Sequence, residues 1–306
     1  MTAVSGFLKP CYVFAPRVLA RRVRLWLFGD QAERRLVTLP WGAKLEVNPH
    51  ETVGGEIVRQ NVFDIAVSEA AWRLLQPGDR AVDVGANIGY MTSLFAARVG
   101  PTGRVDSFEP HPRIAARLAH NVGRFARGSV ARVELHRVAL GDEIGTAQLV
   151  EPTSFAANEG AASLATIGAS GRAADGVEVE VTRLDRVLTG GPIALLKVDV
   201  EGFEPQVIKG AAGLLAGGEI RNVIYEAHEC ERSPVHPLLQ GFGYTIFGLG
   251  YTLFGLKITS GTGPPAIELK WESPSYLATL DPDRALAVLR GAGWQVLRRR
   301  RSVGRR

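Results

Sequence analysis

The chain has 306 residues, 46% of them hydrophobic, and a formal net charge of +5. Its two cysteines provide neither a disulfide framework nor a metal-binding spacing, so we expect a reducing, cytoplasmic compartment. No apolar run is long enough to cross a membrane, and the N-terminus lacks the cleavage site of a secretory signal.

The positive charge lies at the two ends of the chain. Residues 1–36 carry +5 and residues 291–306 carry +6, which leaves −6 for residues 37–290. An acidic body disfavours a nucleic-acid partner, because phosphates are bound by lysine and arginine. The basic ends are expected to be solvated, or to contact an anionic membrane surface or a partner protein.

Residues 1–55 are predicted to form a basic helical arm and a hairpin. Arg17–Phe28 fits a helix with apolar residues such as Trp26 on one stripe and arginines on another. Such a helix docks on its own domain or lies on a membrane surface, and both interpretations remain open. Leu36–Val47 alternates as a hairpin does, with Gly42 at its turn.

Residues 56–280 are predicted to form one domain in which strands alternate with helices. A helix over Glu56–Gln76 comes first, and Asp281 caps a last helix that precedes an Arg-rich tail in residues 281–306. The predicted buried strands are Arg80–Val84, Arg104–Phe108, Ala131–Leu140, Ile193–Val200 and Ile220–Ala227. This alternation indicates an α/β fold with a mainly parallel sheet and helices on both faces.

The turn after the first of these strands has the composition of a nucleoside-binding turn. It reads Gly85-Ala86-Asn87-Ile88-Gly89 and leads into a helix. Glycine permits close approach and positive φ, and a helix start offers unpaired N–H groups. A dinucleotide fingerprint requires glycine where Asn87 stands, so a pyrophosphate is disfavoured and S-adenosylmethionine is favoured as the cofactor.

Polar residues follow the other predicted strands. Glu109 comes twenty residues after Gly89, where an acid commonly binds ribose hydroxyls. Asp142 follows the third strand and is a candidate for the adenine amine, or for an ordinary turn residue. Because ligands bind beyond the carboxyl ends of parallel strands, these side chains are expected to meet at one edge of the sheet.

The strand Ile193–Val200 introduces an acidic cluster. Lys197, Asp199 and Glu201 alternate onto one face, so the lysine is expected to pair with an acid. Asp199, Glu201 and His228 are candidates for a base that removes a hydroxyl proton from a methyl acceptor. The same three groups could instead hold a divalent ion, but no further ligand is evident nearby, so we expect no metal.

Two further segments have unusual sequences. Pro152–Gly176 is rich in Ala, Gly and Ser and is interpreted as a substrate loop or as disorder. Tyr244–Gly250 is nearly repeated in Tyr251–Lys257, and we expect a hairpin or bulge at Gly248–Gly250 because seven is an odd repeat.

These motifs resemble the FkbM family of S-adenosylmethionine-dependent methyltransferases over about residues 56–280. The matching segments are VDVGANIGYMTSLFA, SFEPHP, AASL, VTRLD and LLKVDVEGFEPQVIKGA. The resemblance implies the class I methyltransferase (Rossmann-like) fold, with seven strands of which one is antiparallel. It also implies O-methylation, often of a sugar or a glycosylated natural product.

The resemblance also implies roles for individual residues. Cofactor contacts fall on the glycine turn, the acid after the second strand and the residues beside them, namely Asp83, Gly85, Ala86, Asn87, Gly89 and Glu109. Asp199 and Glu201 would lie near the transferred methyl group. The acceptor is expected to be a small molecule or a glycan. A methyltransferase acting on RNA or protein, and a nucleotide-dependent oxidoreductase, remain alternatives, and the oligomeric state is not predicted.

Overall fold

The computed structural model describes residues 9–29, 31–125, 130–150, 163–165, 176–265 and 274–298. Most of the loop predicted over Pro152–Gly176 and the Arg-rich tail beyond Arg298 lie outside the described residues. None of the described helices is long and apolar enough to cross a membrane.

The described residues form helices and strands in alternation. The helices are α1 Pro10–Val13, α2 Pro16–Phe28, α3 Thr52–Gln60, α4 Ile65–Leu74, α5 Tyr90–Val99, α6 Pro112–Phe125, α7 Leu184–Val187, α8 Glu204–Gly210, α9 Ala212–Ala216, α10 Val235–Gly241 and α11 Pro282–Leu289. The strands are β1 Arg35–Thr38, β2 Lys44–Val47, β3 Arg80–Val84, β4 Arg104–Phe108, β5 Arg132–His136, β6 Ala139–Leu140, β7 Gly145–Val150, β8 Ser163–Ala165, β9 Gly176–Thr182, β10 Leu195–Val198, β11 Asn222–Glu226, β12 Thr245–Thr252, β13 Gly255–Ser260 and β14 Ser275–Thr279.

The main sheet has the order β13-β12-β14-β11-β10-β3-β4-β5. Strands β5, β4, β3, β10 and β11 are parallel, whereas β14 runs antiparallel to both of its neighbours. The α/β architecture with a mainly parallel sheet is therefore as predicted, but the sheet has eight strands instead of the expected seven. Strand β13 adds an eighth strand at the edge by pairing antiparallel with β12.

The sequence repeat forms this edge hairpin, but its turn is not at Gly248–Gly250 as predicted. Strand β12 runs straight through these glycines, and the chain reverses between Thr252 and Gly255. The argument from the odd repeat fails because both faces of β12 are covered: Ile246 packs in one hydrophobic cluster and Leu249 in the other. Apolar residues are then tolerated on either face of the strand.

The two hydrophobic clusters lie on opposite faces of the main sheet. Successive residues of β3 enter different clusters: Ala81 belongs to the same cluster as Leu94 of α5, and Val82 belongs to the same cluster as Ile208 of α8. The side-chain alternation of a strand explains this division. The sheet is buried on both faces, as expected of strands that read as continuous apolar runs.

The predicted helix Glu56–Gln76 is two helices. Asn61 ends α3 in the left-handed region at φ 65°, and Asp64 begins α4 by accepting a 3.1 Å hydrogen bond from Val67 N. Asparagine tolerates this backbone region and aspartate is a favoured N-cap, so the break has a local cause. The break turns the segment between the helices toward the carboxyl edge of the sheet.

Both ends of the described chain pack on the sheet domain. Strands β1 and β2 pair antiparallel as predicted, with Gly42 in the turn at φ 94°. At the other end, the buried Glu69 carboxylate accepts 2.8 Å hydrogen bonds from Gln295 N and Val296 N. Arg73, 2.6 Å from Glu69, donates to Gly293 O. This buried pair fixes residues 293–296 against α4.

Candidate functional site

A cavity of about 410 Å³ lies at the carboxyl ends of β3, β4, β10 and β11. This is the edge at which parallel α/β sheets bind ligands, and the volume is in the usual range for ligand pockets. The predicted site residues that line it are Gly85, Ala86, Asn87, Glu109, Asp199 and Glu201. These six residues come from three separate strand ends, those of β3, β4 and β10.

Gly85 joins the ends of three strands. It lies at φ 76°, its N–H donates to Phe108 O at the end of β4, and a Cβ at this position would collide with Asp199 O beyond β10. Ala86 N donates to the same carbonyl of Phe108 at 2.9 Å. The close approach that requires glycine here is thus to the backbone of Asp199. Gly89, at φ 92°, faces Leu118 instead.

Glu109, which follows the neighbouring strand β4, stabilises the glycine turn that follows β3. Its carboxylate accepts 3.0 Å hydrogen bonds from Asn87 N and His111 N, and its own N–H donates to His136 O. Asn87 lies in the left-handed region at φ 49°. Burial raises the pKa of Glu109 to about 7, although the two N–H groups oppose the rise. The side chain forms part of the cavity wall.

We expect Glu109 to make the free energy of unfolding fall as the pH rises toward 7. The folded pKa of about 7 exceeds the ordinary 4.5, so the folded state binds the extra proton between these values. The contribution is complete below pH 4.5 and is lost as the pH rises through 7, by up to about 3 kcal/mol. Urea unfolding across this pH range should show a clear decline in the free energy of unfolding of the wild type and a shallower decline for Glu109→Gln. Equal slopes would show that Glu109 is not perturbed.

Asp83 lies behind the cavity and does not line it. Alternation along β3 turns its side chain toward α5, where Thr92 Oγ1 donates to Oδ2 at 2.6 Å. Its other oxygen, Oδ1, is 4.0 Å from Lys197 Nζ. Burial raises the pKa of Asp83, an effect that the charge of Lys197 opposes. The structure thus corrects the expected cofactor contact: Asp83 supports the site from beneath.

Lys197 links Asp83 to Asp199. Its Nζ is 2.8 Å from Asp199 Oδ2, which is the lysine–acid pair expected from the strand pattern. Burial alone would lower the pKa of Lys197, but the carboxylates of Asp199 and Asp83 outweigh it and raise the pKa above its usual range. Lys197 therefore remains charged in the cavity wall and fixes the position of Asp199.

Three further carboxylates line the cavity without having been selected as site residues: Glu56 of α3, Asp64 at the start of α4, and Glu226 at the end of β11. Burial raises the pKa of Asp64 to about 6. Burial also raises the pKa of Glu226 well above its usual range, reinforced by Asp199 and Asp64. Glu201, at φ 52°, has a pKa raised by burial and by Asp199. The sequence signal that could have identified Asp64 is Asn61, a residue type that ends helices, followed three residues later by an aspartate that can begin the next helix.

Asp142 and His228 lie outside the cavity lining. The predicted strand Ala131–Leu140 is in fact β5 of the main sheet followed by β6, which pairs with β9 in a second sheet. The chain has therefore left the main sheet before Asp142, whose Oδ2 is 3.8 Å from Lys209 Nζ. His228 is two residues beyond β11, half exposed, with Nε2 3.6 Å from Glu226 Oε2.

Over the residues that the structure describes, no cluster of three histidine, cysteine or acidic side chains has the arrangement of a metal site. The carboxylates around the cavity instead flank Lys197, lie at separate strand ends, or belong to α3 and the start of α4. Their chemistry is that of hydrogen-bond acceptors and of groups that exchange protons.

Residues 83–245 match the family model described as the methyltransferase FkbM domain, which is more than half of the chain. The chain belongs to the FkbM methyltransferase family. The match begins at the end of β3 and reaches the start of β12, so it contains the glycine turn, Glu109 and the acidic strand ends. The methyltransferase activity and the family expected from the sequence motifs are confirmed.

Two curated relatives of this FkbM methyltransferase carry informative names. The 31-O-demethyl-FK506 methyltransferase FkbM of Streptomyces tacrolimicus is 32% identical over 56% of this chain and 75% of its own. The hexuronic acid methyltransferase AglP of Haloferax volcanii is 30% identical over 55% of this chain and 62% of its own. Among solved structures, a SAM-dependent O-methyltransferase from Thermotoga maritima aligns with a TM-score of 0.42 and 12% identity, covering 82% of this chain and 93% of its own.

S-adenosylmethionine is the cofactor of this FkbM methyltransferase. The residues present fit it: the cavity offers apolar walls for a purine at Phe108, Ile114 and Leu140. A buried carboxylate at Glu109 stands beside them, suited to accept hydrogen bonds from ribose hydroxyls.

Proposed function

We propose that this FkbM methyltransferase methylates a hydroxyl oxygen of a small molecule or a glycan, with a sugar hydroxyl as the favoured acceptor. The observation that carries the proposal is the division of one cavity into two parts. The glycine turn and Glu109 form one part of the lining, and the carboxylates that follow β10 and end β11 form another part. A hydroxyl acceptor must lose its proton as the new bond forms, and carboxylates can accept it.

The cofactor part of the site comprises the β3 turn and the end of β4. We assign Gly85, Ala86 and Asn87 to the amino-acid end of the cofactor and Glu109 to its ribose. Gly89 acts indirectly: its left-handed backbone begins α5 and lets Leu118 pack against the turn. Bound there, the cofactor supplies a methyl group already activated by its sulfonium charge.

We expect Glu109→Ala to weaken binding of S-adenosylmethionine by about 1–3 kcal/mol, the cost of losing hydrogen bonds to a carboxylate. Isothermal titration calorimetry measures this directly. Because the substitution also strands Asn87 N and His111 N, Glu109→Gln serves as the matched variant that keeps one acceptor in place. Unchanged affinity in both variants would remove Glu109 from the cofactor site.

The chain's own contribution to the chemistry is alignment, exclusion of water and removal of a proton. The acceptor oxygen forms a bond to the methyl carbon as the bond to sulfur breaks, and its proton passes to a carboxylate. Asp199 is poorly suited to this because its Oδ2 already accepts a hydrogen bond from Lys197 Nζ at 2.8 Å. Glu226 is better suited, because its raised pKa makes it a stronger base and it lines the cavity. Glu201 would then bind the acceptor.

The charge of the cavity favours an uncharged acceptor. Six carboxylates line it: Glu56, Asp64, Glu109, Asp199, Glu201 and Glu226. Among the described lining residues, Lys197 is the only lysine or arginine. A polyanion such as RNA would be repelled by this wall, whereas sugar hydroxyls donate hydrogen bonds to carboxylates. Family membership likewise sets aside the nucleotide-dependent oxidoreductase.

The proposal is tested by incubating the full chain with S-adenosylmethionine and separate pools of glycosides, hydroxylated natural products, peptides and RNA. The readouts are formation of S-adenosylhomocysteine and the mass and linkage of the methylated product. A methyl ether formed in the glycoside or natural-product pool is the expected result. Turnover confined to RNA or to peptide nitrogen or carboxyl groups would contradict the proposal.

A further inference from the structure

Helix α2 exposes several large apolar side chains to solvent near its C-terminal end. Trp26 is 73% exposed and Phe28 is 76% exposed, with Leu27 and Val23 beside them. No residue of this 13-residue helix is buried. Large exposed aromatic side chains at one helix end are unusual on a protein surface and mark a site of interaction.

The opposite face of α2 is already occupied. Val18, Leu19 and Leu25 pack against the hydrophobic core, and Arg21 donates a 3.1 Å hydrogen bond to Asn61 at the end of α3. The helix is therefore docked on its own domain, as one of the two sequence interpretations had it. Its remaining apolar residues have no place in that packing.

The charges on α2 indicate which kind of partner its outward face can bind. Residues 9–29 contain four arginines and one lysine and no acidic residue. Arg17 and Arg24 are exposed and lie on the same outward side as Val23 and Leu27. Arginines beside tryptophan and phenylalanine suit the interface of an anionic bilayer, where the rings sit at headgroup level and the cations meet phosphates.

We propose that the outward face of α2 docks the enzyme on an anionic lipid surface. A second copy of the chain fits this face less well, because a two-fold contact would bring Arg17 and Arg24 against their own symmetry copies. A lipid surface instead supplies the opposite charge.

The docked helix lies next to the active site. Helix α2 packs on α3, and α3 supplies Thr52, Val53 and Glu56 to the cavity wall. A bilayer bound at α2 would therefore lie near the part of the cavity wall that α3 supplies. The docking proposal concerns a separate surface, so its test requires no turnover and can fail while the methyltransferase proposal stands.

The test measures co-sedimentation of the full chain with vesicles of phosphatidylcholine alone and of phosphatidylcholine mixed with phosphatidylserine. We expect binding to the mixed vesicles only, weakened by salt. Arg24→Gln should lower the partition coefficient by about fivefold, the value of one cation near a charged surface. The double variant Trp26→Ser/Phe28→Ser should lower it by tenfold or more. Phe254→Ser, which replaces an aromatic residue that is 71% exposed on the β12–β13 turn, is the matched control and should bind normally.

Tryptophan fluorescence gives a second readout at the same position. In a Trp271→Phe background the remaining tryptophans besides Trp26 are Trp41, Trp72 and Trp294, which are buried, so a blue shift on adding anionic vesicles reports on Trp26. The shift should be lost in Trp26→Phe while co-sedimentation persists. No binding to anionic vesicles at low salt would overturn the proposal. The proposal would also be overturned if Trp26→Ser/Phe28→Ser bound the vesicles as well as the wild type does. A dimer seen in analytical ultracentrifugation and dissociated by this double variant would overturn it too.

Discussion

Gly85→Ala should lower the free energy of unfolding by about 3 kcal/mol and abolish binding of S-adenosylmethionine. The alanine Cβ costs about 1–2 kcal/mol at positive φ, and overpacking typically costs a further 1–3 kcal/mol. Here the Cβ collides with Asp199 O, a backbone atom that cannot rotate away. Relief of the collision must separate the turn from the end of β10, and that displaces the cofactor wall and Asp199 together.

Gly78→Ala is the matched control for this substitution. Gly78 also has a positive φ, of 91°, but the nearest atom to its added Cβ is Thr102 Oγ1 at an ordinary 3.7 Å. We expect a loss of about 1 kcal/mol and normal cofactor affinity. Urea unfolding and calorimetric titration of both variants make the comparison. Equal losses of stability, or full cofactor binding by Gly85→Ala, would show that the close approach to Asp199 does not shape the site.

Glu226→Gln should lower kcat by a factor of about 10² or more while the affinity for S-adenosylmethionine is kept. The amide keeps the size of the side chain but cannot accept a proton, and general base catalysis typically contributes 10²–10⁴-fold. The raised pKa of Glu226 also predicts that kcat of the wild type increases with pH until this carboxyl is ionised. The variant should lose that dependence. Single-turnover kinetics across the pH range measure both effects.

Glu229→Gln is the control, because Glu229 is an exposed acid three residues further along the chain. It should leave kcat unchanged. His228→Gln tests the base predicted from sequence, and the structure predicts only a small effect because His228 is half exposed and outside the cavity lining. A large loss in His228→Gln with normal turnover in Glu226→Gln would return the assignment of the base to the histidine.

The sequence predicted those parts of the site that depend on strand ends. The turn from Gly85 to Gly89, Glu109 and Asp199 each follow a buried apolar run directly, so the strand pattern alone placed them at one edge. Asp142 lies outside the cavity lining because the chain leaves the main sheet at β6, which pairs with β9, and the continuous apolar run Ala131–Leu140 gives no sign of this change. Long-range pairing of that kind leaves no local signal.

Other parts of the site depend on tertiary packing. Asp64 reaches the cavity because the chain breaks at Asn61, whereas the apolar period of Glu56–Gln76 continues across the break. Asp83 was expected to contact the cofactor, but its side chain is directed beneath the site toward Thr92. Glu226 was visible as a strand-end acid, and only its burial beside Asp199 and Asp64 distinguishes it as a base.

The central claim is that the ends of β3 and β4 bind the adenosyl methyl donor. Calorimetric titration of S-adenosylhomocysteine into the wild type, Gly85→Ala and Glu109→Ala tests it most directly. We predict one binding site per chain in the wild type, weaker binding in Glu109→Ala and no binding in Gly85→Ala. The control Gly78→Ala should bind as the wild type does. Equal affinity in all four proteins would contradict the claim, because the cofactor would then be held elsewhere.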